Sequence, residues 1–223
     1  MLIAEDILLL ATDDTTGKVS QWAMNVDAAL AGAVLIDLAI AGRVRLDGKE
    51  KTAKVVVTDG SPTGDPVLDP ALEQLGEKDP MRPASVLGRI GKDLRGRVHT
   101  SLEDKGVLRR ESGKVLGIFP TTRWPAQDSA HEAGIRQQVS NALLLGQEPD
   151  ARVAAIISVL VAADMLRTVV DKSEIKAAKA RGKAISEGNW AADGVRTSIQ
   201  EMQAAISAAV MVSTTVAITA STN

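Results

Sequence analysis

The 223 residues include no cysteine, no tyrosine, one phenylalanine, three tryptophans and two histidines. Without cysteine there are no disulfides and no thiolate metal sites, which fits a reducing cytosol. With aromatics at only 2% but hydrophobic residues at 45%, the core must be built from many small aliphatic contacts, which favours helices. Catalytic chemistry is equally thin. There is no nucleophile elbow, Walker loop or dinucleotide fingerprint, and His99 and His131 fall in separate predicted helices, where they read as surface or hydrogen-bonded helix residues. The sequence therefore points to a non-enzyme with no cofactor and no metal. A formal net charge of −2 removes any general attraction to polyanions, so such attraction must be local. The opening MLIAEDILLL lacks a basic region before its apolar run and reads as no signal peptide, so a cytoplasmic protein is expected.

What is present is a helical pattern with one unusually apolar member. From Val26 to Ala41 only Asp27 and Asp37 interrupt Ala, Val, Leu, Ile and Gly. A helix apolar nearly all round must be packed on most sides. Gly42 supplies the left-handed residue that ends it, and Arg43-Val44-Arg45-Leu46 then alternates as a half-exposed strand does.

Around this core helix the pattern predicts a helix over Ile3 to Thr12, a turn over Asp13 to Gly17, and strands Val44 to Leu46 and Lys54 to Thr58. The stretch Asp59 to Asp69 reads as loop. Asp69 then reads as the N-cap, with Pro70 opening a short helix to Leu75. One long helix is expected from Ala84 to Leu102. A second hairpin follows, with Gly106 to Leu108 and Val115 to Phe119 as strands and a turn between them over Arg110 to Lys114, then a turn over Pro120 to Pro125. Helices follow over Ser129 to Leu145, Asp150 to Val170 and Glu174 to Trp190, with a last one from Asp193. Helix followed by hairpin occurs twice, which reads either as a degenerate internal repeat or as a common unit used twice. Met202 to Asn223 carries no charge. Its Ser and Thr content suits a buried or self-associating helix better than a membrane span.

Two loops invite functional readings and are better read as structure. Asp13-Asp14 with Gly17 lacks the oxygen ligands that a calcium loop spaces along its length. Ser61-Pro62-Thr63-Gly64-Asp65 lacks the Gly-Lys-Ser/Thr ending of a phosphate loop. The charge map is more informative. From Arg82 to Arg110 there are eight Lys and Arg against three acids. On one continuous helix Arg89, Lys92 and Arg95 would share a face. Three cations on one face suit a multiply charged phosphate, or simply a solvated surface.

Trp22, Leu30-Ala31-Gly32, Leu35-Ile36-Asp37-Leu38-Ala39 and Gly42-Arg43 resemble the Golgi phosphoprotein 3 family, peripheral membrane proteins that bind phosphatidylinositol 4-phosphate. Glu5 to Leu10 resembles that family's opening helix. Ser61 to Asp65 with Leu68-Asp69 and Ala71-Leu72 resembles its central loop, and Leu102 to Leu108 its Glu-Lys-Gly-Val-Leu turn. The motifs run in order, and beyond Gln127 the resemblance fades to a helical pattern around Ala154 to Leu166. The family's tryptophan and its two later basic residues fall on Trp22, Lys92 and Arg95. Its arginine on the core helix falls on Ala31, a departure that bears on specificity for the 4-phosphate. Arg89 is a supporting candidate. So is Trp124, which could dip into a membrane interface or pack in the core; the same two readings apply to Trp22.

The expected fold is therefore mainly α: one domain over residues 1–223, a bundle of apolar helices surrounded by amphipathic ones, with two small β-hairpins. The resemblance implies binding of an anionic phospholipid headgroup at the cytosolic membrane face, peripheral attachment, a protein partner and oligomer contacts. The alanine-rich composition looks like that of a bacterial relative. Two alternatives remain, a protein-interaction scaffold and a winged-helix-like nucleic-acid module. Asp47, Glu50 and Asp59 in the first hairpin count against nucleic acid.

Overall fold

The computed structural model describes residues 1–48, 52–115 and 119–188. The end of the expected helix Glu174 to Trp190, the helix from Asp193 and the uncharged stretch Met202 to Asn223 lie outside the described residues. In chain order the elements are α1 (Ile3–Ala11), α2 (Val26–Ile40), β1 (Val44–Asp47), β2 (Lys54–Val57), α3 (Leu68–Gly76), α4 (Pro83–Ile90), α5 (Leu94–Asp104), β3 (Glu111–Val115), β4 (Phe119–Arg123), α6 (Ala130–Leu144), α7 (Ala151–Ala162) and α8 (Ile175–Ser186). A single 3-10 turn, Leu166–Thr168, lies between α7 and α8. The protein is mainly α, with two antiparallel strand pairs.

The most apolar helix is the central one. α2 packs against α1, α3, α4, α5 and α7, and every residue from Ala29 to Leu38 is buried. Each large aliphatic side chain removed from water there contributes roughly 1.5–3 kcal/mol. Gly42 adopts φ +70°. Its N–H donates to Ala39 O and that of Arg43 to Leu38 O, the paired bonds that close a helix with a left-handed residue. α1 and α7 complete the apolar layer. α8 covers α7 with Ala178, Gly182 and Ile185, and a Cβ at Gly182 would come within 2.7 Å of Val161 Cγ2, so the two helices meet closely there.

Three carboxylates lie inside this apolar layer, and each joins elements together. The N-cap residue Leu2 offers no side-chain cap, so Asp37 on α2 takes the first amides of α1: the N–H groups of Ile3 and Ala4 donate to its two oxygens at 3.0 and 3.1 Å. Glu5 accepts from Leu2 N–H and from the Ser101 hydroxyl, and pairs with Lys105, which ties α1 to α5. Asp6 meets His131 Nε2 at 2.8 Å and Arg152 at 2.6 Å, which ties α1 to α6 and α7. Glu5 and Asp6 are buried while their basic partners are more than a third exposed, so solvent offsets part of the cost when one partner is removed.

Five local expectations need correction. The helix expected from Ala84 to Leu102 is two helices: Gly91 ends α4, and Asp93 sits at φ 56° before α5, so the chain bends over α2. α3 begins at Leu68, not after an Asp69 cap. Val67 and Leu68 N–H donate to Asp65, while Asp69 accepts from Thr63 and Gly64 and folds the preceding loop. The second hairpin lies further along the chain than expected. Gly106 at φ 70° ends α5, and the N–H groups of Val107 and Leu108 return to Leu102 O. Val107 is thus part of a helix cap, and pairing runs from Glu111↔Arg123 to Val115↔Phe119. Residues 120–123, expected as part of a turn, belong to β4; Pro120 is tolerated because a two-stranded ladder has only edge strands.

The fifth correction has the largest consequence. α7 stops at Ala162 because Asp164 takes φ 54°. Asp164 and Met165 N–H close the helix on Val161 O and Leu160 O. Met165, Leu166, Val169 and Val170 stay buried, so the apolar pattern continues while the chain changes direction.

Candidate functional site

The turn before α2 is held at both of its ends. Trp22 N–H donates to Ser20 Oγ at 3.2 Å, and Asn25 Nδ2 donates to Ala163 O at 2.9 Å, which joins the start of α2 to the end of α7. Between these anchors Trp22 is 40% exposed and Met24 89% exposed. The reversal of the chain at Asp164 brings Arg167 to this turn, with its guanidinium carbon 3.4 Å from the centre of the Trp22 ring. That distance places the cation in direct contact with the aromatic face. Arg167 makes no ion pair among the described residues. It also lines a cavity of about 350 Å³ with Arg136, Ser140, Asp171 and Glu174.

Arg95 reaches the same end of α2 from α5. Arg95 Nε and Nη2 donate to the two oxygens of Asp27, in the first turn of α2, at 2.8 and 2.6 Å. Lys92 is exposed on the turn between α4 and α5 and makes no ion pair among the described residues. Its neighbour Gly91 lies against the core helix, since a Cβ placed there would be 3.8 Å from Ala31 Cβ. Ala31 itself is 1% exposed. It sits beneath the α4–α5 turn, with no open space beside it.

The other candidates lie elsewhere. Because α4 ends before Lys92, Arg89 does not share a helix face with Lys92 and Arg95. It turns toward α3, donating from Nε to Gln74 O at 2.9 Å and pairing with Glu77 at 3.5 Å. Trp124, just after β4, packs against the core at His99, one turn beyond Arg95 on α5. Its ring stacks on His99 with centres 4.6 Å apart and planes 8° from parallel. The Arg110 guanidinium lies 5.7 Å from the Trp124 ring centre. Burial, reinforced by the charge of Arg95, pushes the His99 imidazole down to about 4, so it is neutral at physiological pH.

Half of the eight cations in the expected basic patch from Arg82 to Arg110 are compensated by ion pairs. Arg89, Arg95, Lys105 and Arg109 pair with Glu77, Asp27, Glu5 and Glu111. Arg167 and Met24 escaped the sequence reading. Nothing local marks an arginine in a short apolar turn as the neighbour of a tryptophan so far away in the chain, although a methionine beside a tryptophan at the mouth of an apolar helix is a readable signal. Among the described residues no cluster of three or more His, Asp or Glu could hold a metal ion, and no helix is long and apolar enough to cross a membrane.

The fold and this end of α2 define a mainly α bundle with two antiparallel strand pairs and an exposed tryptophan among cations. Residues 3–202 match the family model described as Golgi phosphoprotein 3 (GPP34), and the chain belongs to that family. It is 27% identical over 191 residues to the vacuolar protein sorting-associated protein 74 of Eremothecium gossypii, covering 76% of this chain and 56% of the relative. It is also 27% identical over 164 residues to the protein of the same name from Schizosaccharomyces pombe, covering 64% and 48%. The chain thus spans about half the length of the curated relatives it matches. Both are from yeasts and give the bacterial reading no support.

Proposed function

We propose that the protein binds the headgroup of an anionic phospholipid, reversibly and without catalysis, at the cytosolic face of a membrane. By family resemblance the lipid is phosphatidylinositol 4-phosphate. The observation that supports this reading is Arg95 reaching the first turn of α2 through Asp27, just after the exposed Trp22, with Lys92 on the α4–α5 turn whose Gly91 lies against Ala31. A flat aromatic wall, a point charge and a guanidinium fork are the groups that recognise a sugar phosphate at a surface. The names of the family and of the relatives, which refer to the Golgi and to vacuolar protein sorting, agree with a role at internal membranes.

The test is sedimentation with vesicles containing phosphatidylinositol 4-phosphate, phosphatidylinositol or phosphatidylglycerol, and with neutral vesicles. Binding should follow negative charge, weaken steeply with salt, and fall several-fold in Arg95→Ala. Arg181→Ala should bind as the wild type does, because Arg181 is held by Glu148 in the α6–α7 connection, whereas Trp22 lies by the far end of α7. Equal binding to neutral vesicles, or none to any vesicle at low salt, overturns the reading.

A further inference from the structure

We infer that the Trp22–Met24 turn is an apolar wedge that enters the lipid layer itself, with Arg167 as the cation that enters the headgroup zone beside it. This rests on the proposed lipid binding and adds a mode of attachment to it. Headgroup recognition needs no apolar side chain in water, yet Met24 is 89% exposed beside an exposed tryptophan. The turn is braced, too, by Ser20 at one end and by Ala163 at the other, so the two side chains are presented on a fixed loop.

The surroundings select the occupant. Trp22 carries a guanidinium against its face, and Arg95 pairs with Asp27 in the first turn of the helix that follows. Of the acids at this end of the fold, Asp27 is engaged by Arg95 and Asp164 by Lys179. Tryptophan is favoured at headgroup depth, arginine pairs with phosphates there, and a flexible thioether can reach the acyl chains. A stable protein interface, by contrast, needs about 800 Å² from each partner, and two exposed side chains with a guanidinium beside them present far less apolar surface. An anionic bilayer matches both the small apolar tip and the basic border.

The chain has no native cysteine, so Met24→Cys carries a single thiol for an environment-sensitive nitrobenzoxadiazole label. With vesicles of phosphatidylcholine and phosphatidylinositol 4-phosphate the label should shift to the blue and be quenched by nitroxide on the acyl chains. A label at Gln147→Cys, in the α6–α7 connection, should do neither. Without any label, Met24→Ser should bind these vesicles about tenfold more weakly with an unchanged salt dependence. Arg167→Gln should lose about fivefold and show a shallower salt dependence, measured on protein of unchanged melting temperature. Met24→Ser is a surface change and serves as the test if Arg167→Gln is destabilised.

A wild type that binds the vesicles while the label at position 24 stays in water, or while Met24→Ser binds equally well, overturns the wedge and leaves the headgroup reading standing. A wild type that binds no vesicle overturns both. A dimer that Met24→Ser dissociates, with vesicle binding unchanged, assigns the turn to a second copy of the chain and overturns the wedge.

Discussion

Asp27 holds Arg95 through two charge-assisted hydrogen bonds, Nε to Oδ1 at 2.8 Å and Nη2 to Oδ2 at 2.6 Å. An incoming phosphate must therefore compete with a carboxylate for this guanidinium. The pair is solvent-exposed, so its net contribution to stability is at most about 1 kcal/mol. Asp27→Asn should lower the melting temperature little, free Arg95 and remove a negative charge from the proposed membrane face. Vesicle sedimentation should show affinity for anionic lipid rising about fivefold. A loss of affinity would mean that Asp27 orients Arg95 for binding.

Ala31 stands where the family resemblance places an arginine, but it is buried under Gly91. Ala31→Arg must push the α4–α5 turn away from α2 before its guanidinium can reach water. Overpacking of this kind costs about 1–3 kcal/mol. Thermal unfolding should show the loss, and Lys92, carried by the same turn, should be displaced. Ala31→Arg at wild-type stability would show that the turn yields easily.

Much of the fold could be read from residue pattern because α1, α2 and β1–β2 are specified locally: an apolar run, a glycine stop and a short alternation. The misreadings arose where a turn was made by a residue that does not announce one. Asp93 and Asp164 both adopt the left-handed conformation without being glycine, so the apolar periodicity ran on through two chain reversals. Asp37 stood out as a charge in an apolar helix, but its partners are backbone N–H groups of α1, which leave no trace in side-chain identity. Arg167 reaches Trp22 only because Asp164 redirects the chain. The cations of the candidate site were legible as charges, but their partners were not, since a pair such as Arg95 with Asp27 is made by packing.

Gly17 adopts φ +61°, and a Cβ there would lie 2.3 Å from Pro125 N and 2.4 Å from Trp124 N. Its carbonyl accepts from Trp124 N–H at 3.0 Å. Gly17→Ala therefore combines backbone strain with a clash against main chain that cannot rotate away. We expect a loss of about 2–4 kcal/mol by denaturant titration, with Trp124 fluorescence changing as its stack on His99 is disturbed. A surface glycine such as Gly134, which has open space around it, should accept Ala without loss.

Two buried groups should drive stability in opposite directions across the same pH range. Burial pushes the Asp37 carboxyl up to about 7 from an ordinary 3.8, against the lowering effect of the Ile3 and Ala4 N–H groups and of Arg152, with Asp6 nearby adding to the rise. In the folded protein Asp37 therefore holds a proton that the unfolded chain releases, and its contribution falls as pH rises from about 4 to about 7. His99 is the reverse. Its pKa is about 4 in the fold against 6.5 unfolded, so its contribution is complete above 6.5 and is lost as pH falls toward 4. Asp37→Asn keeps an acceptor for one N–H group and removes the titration, so denaturant titrations of this variant should show stability rising more steeply with pH between 4 and 7 than in the wild type. His99→Phe keeps a ring to stack on Trp124 and removes the opposing effect, so its stability should fall with pH more than that of the wild type over this range. Parallel profiles for all three proteins would show that neither group titrates between its folded and unfolded values.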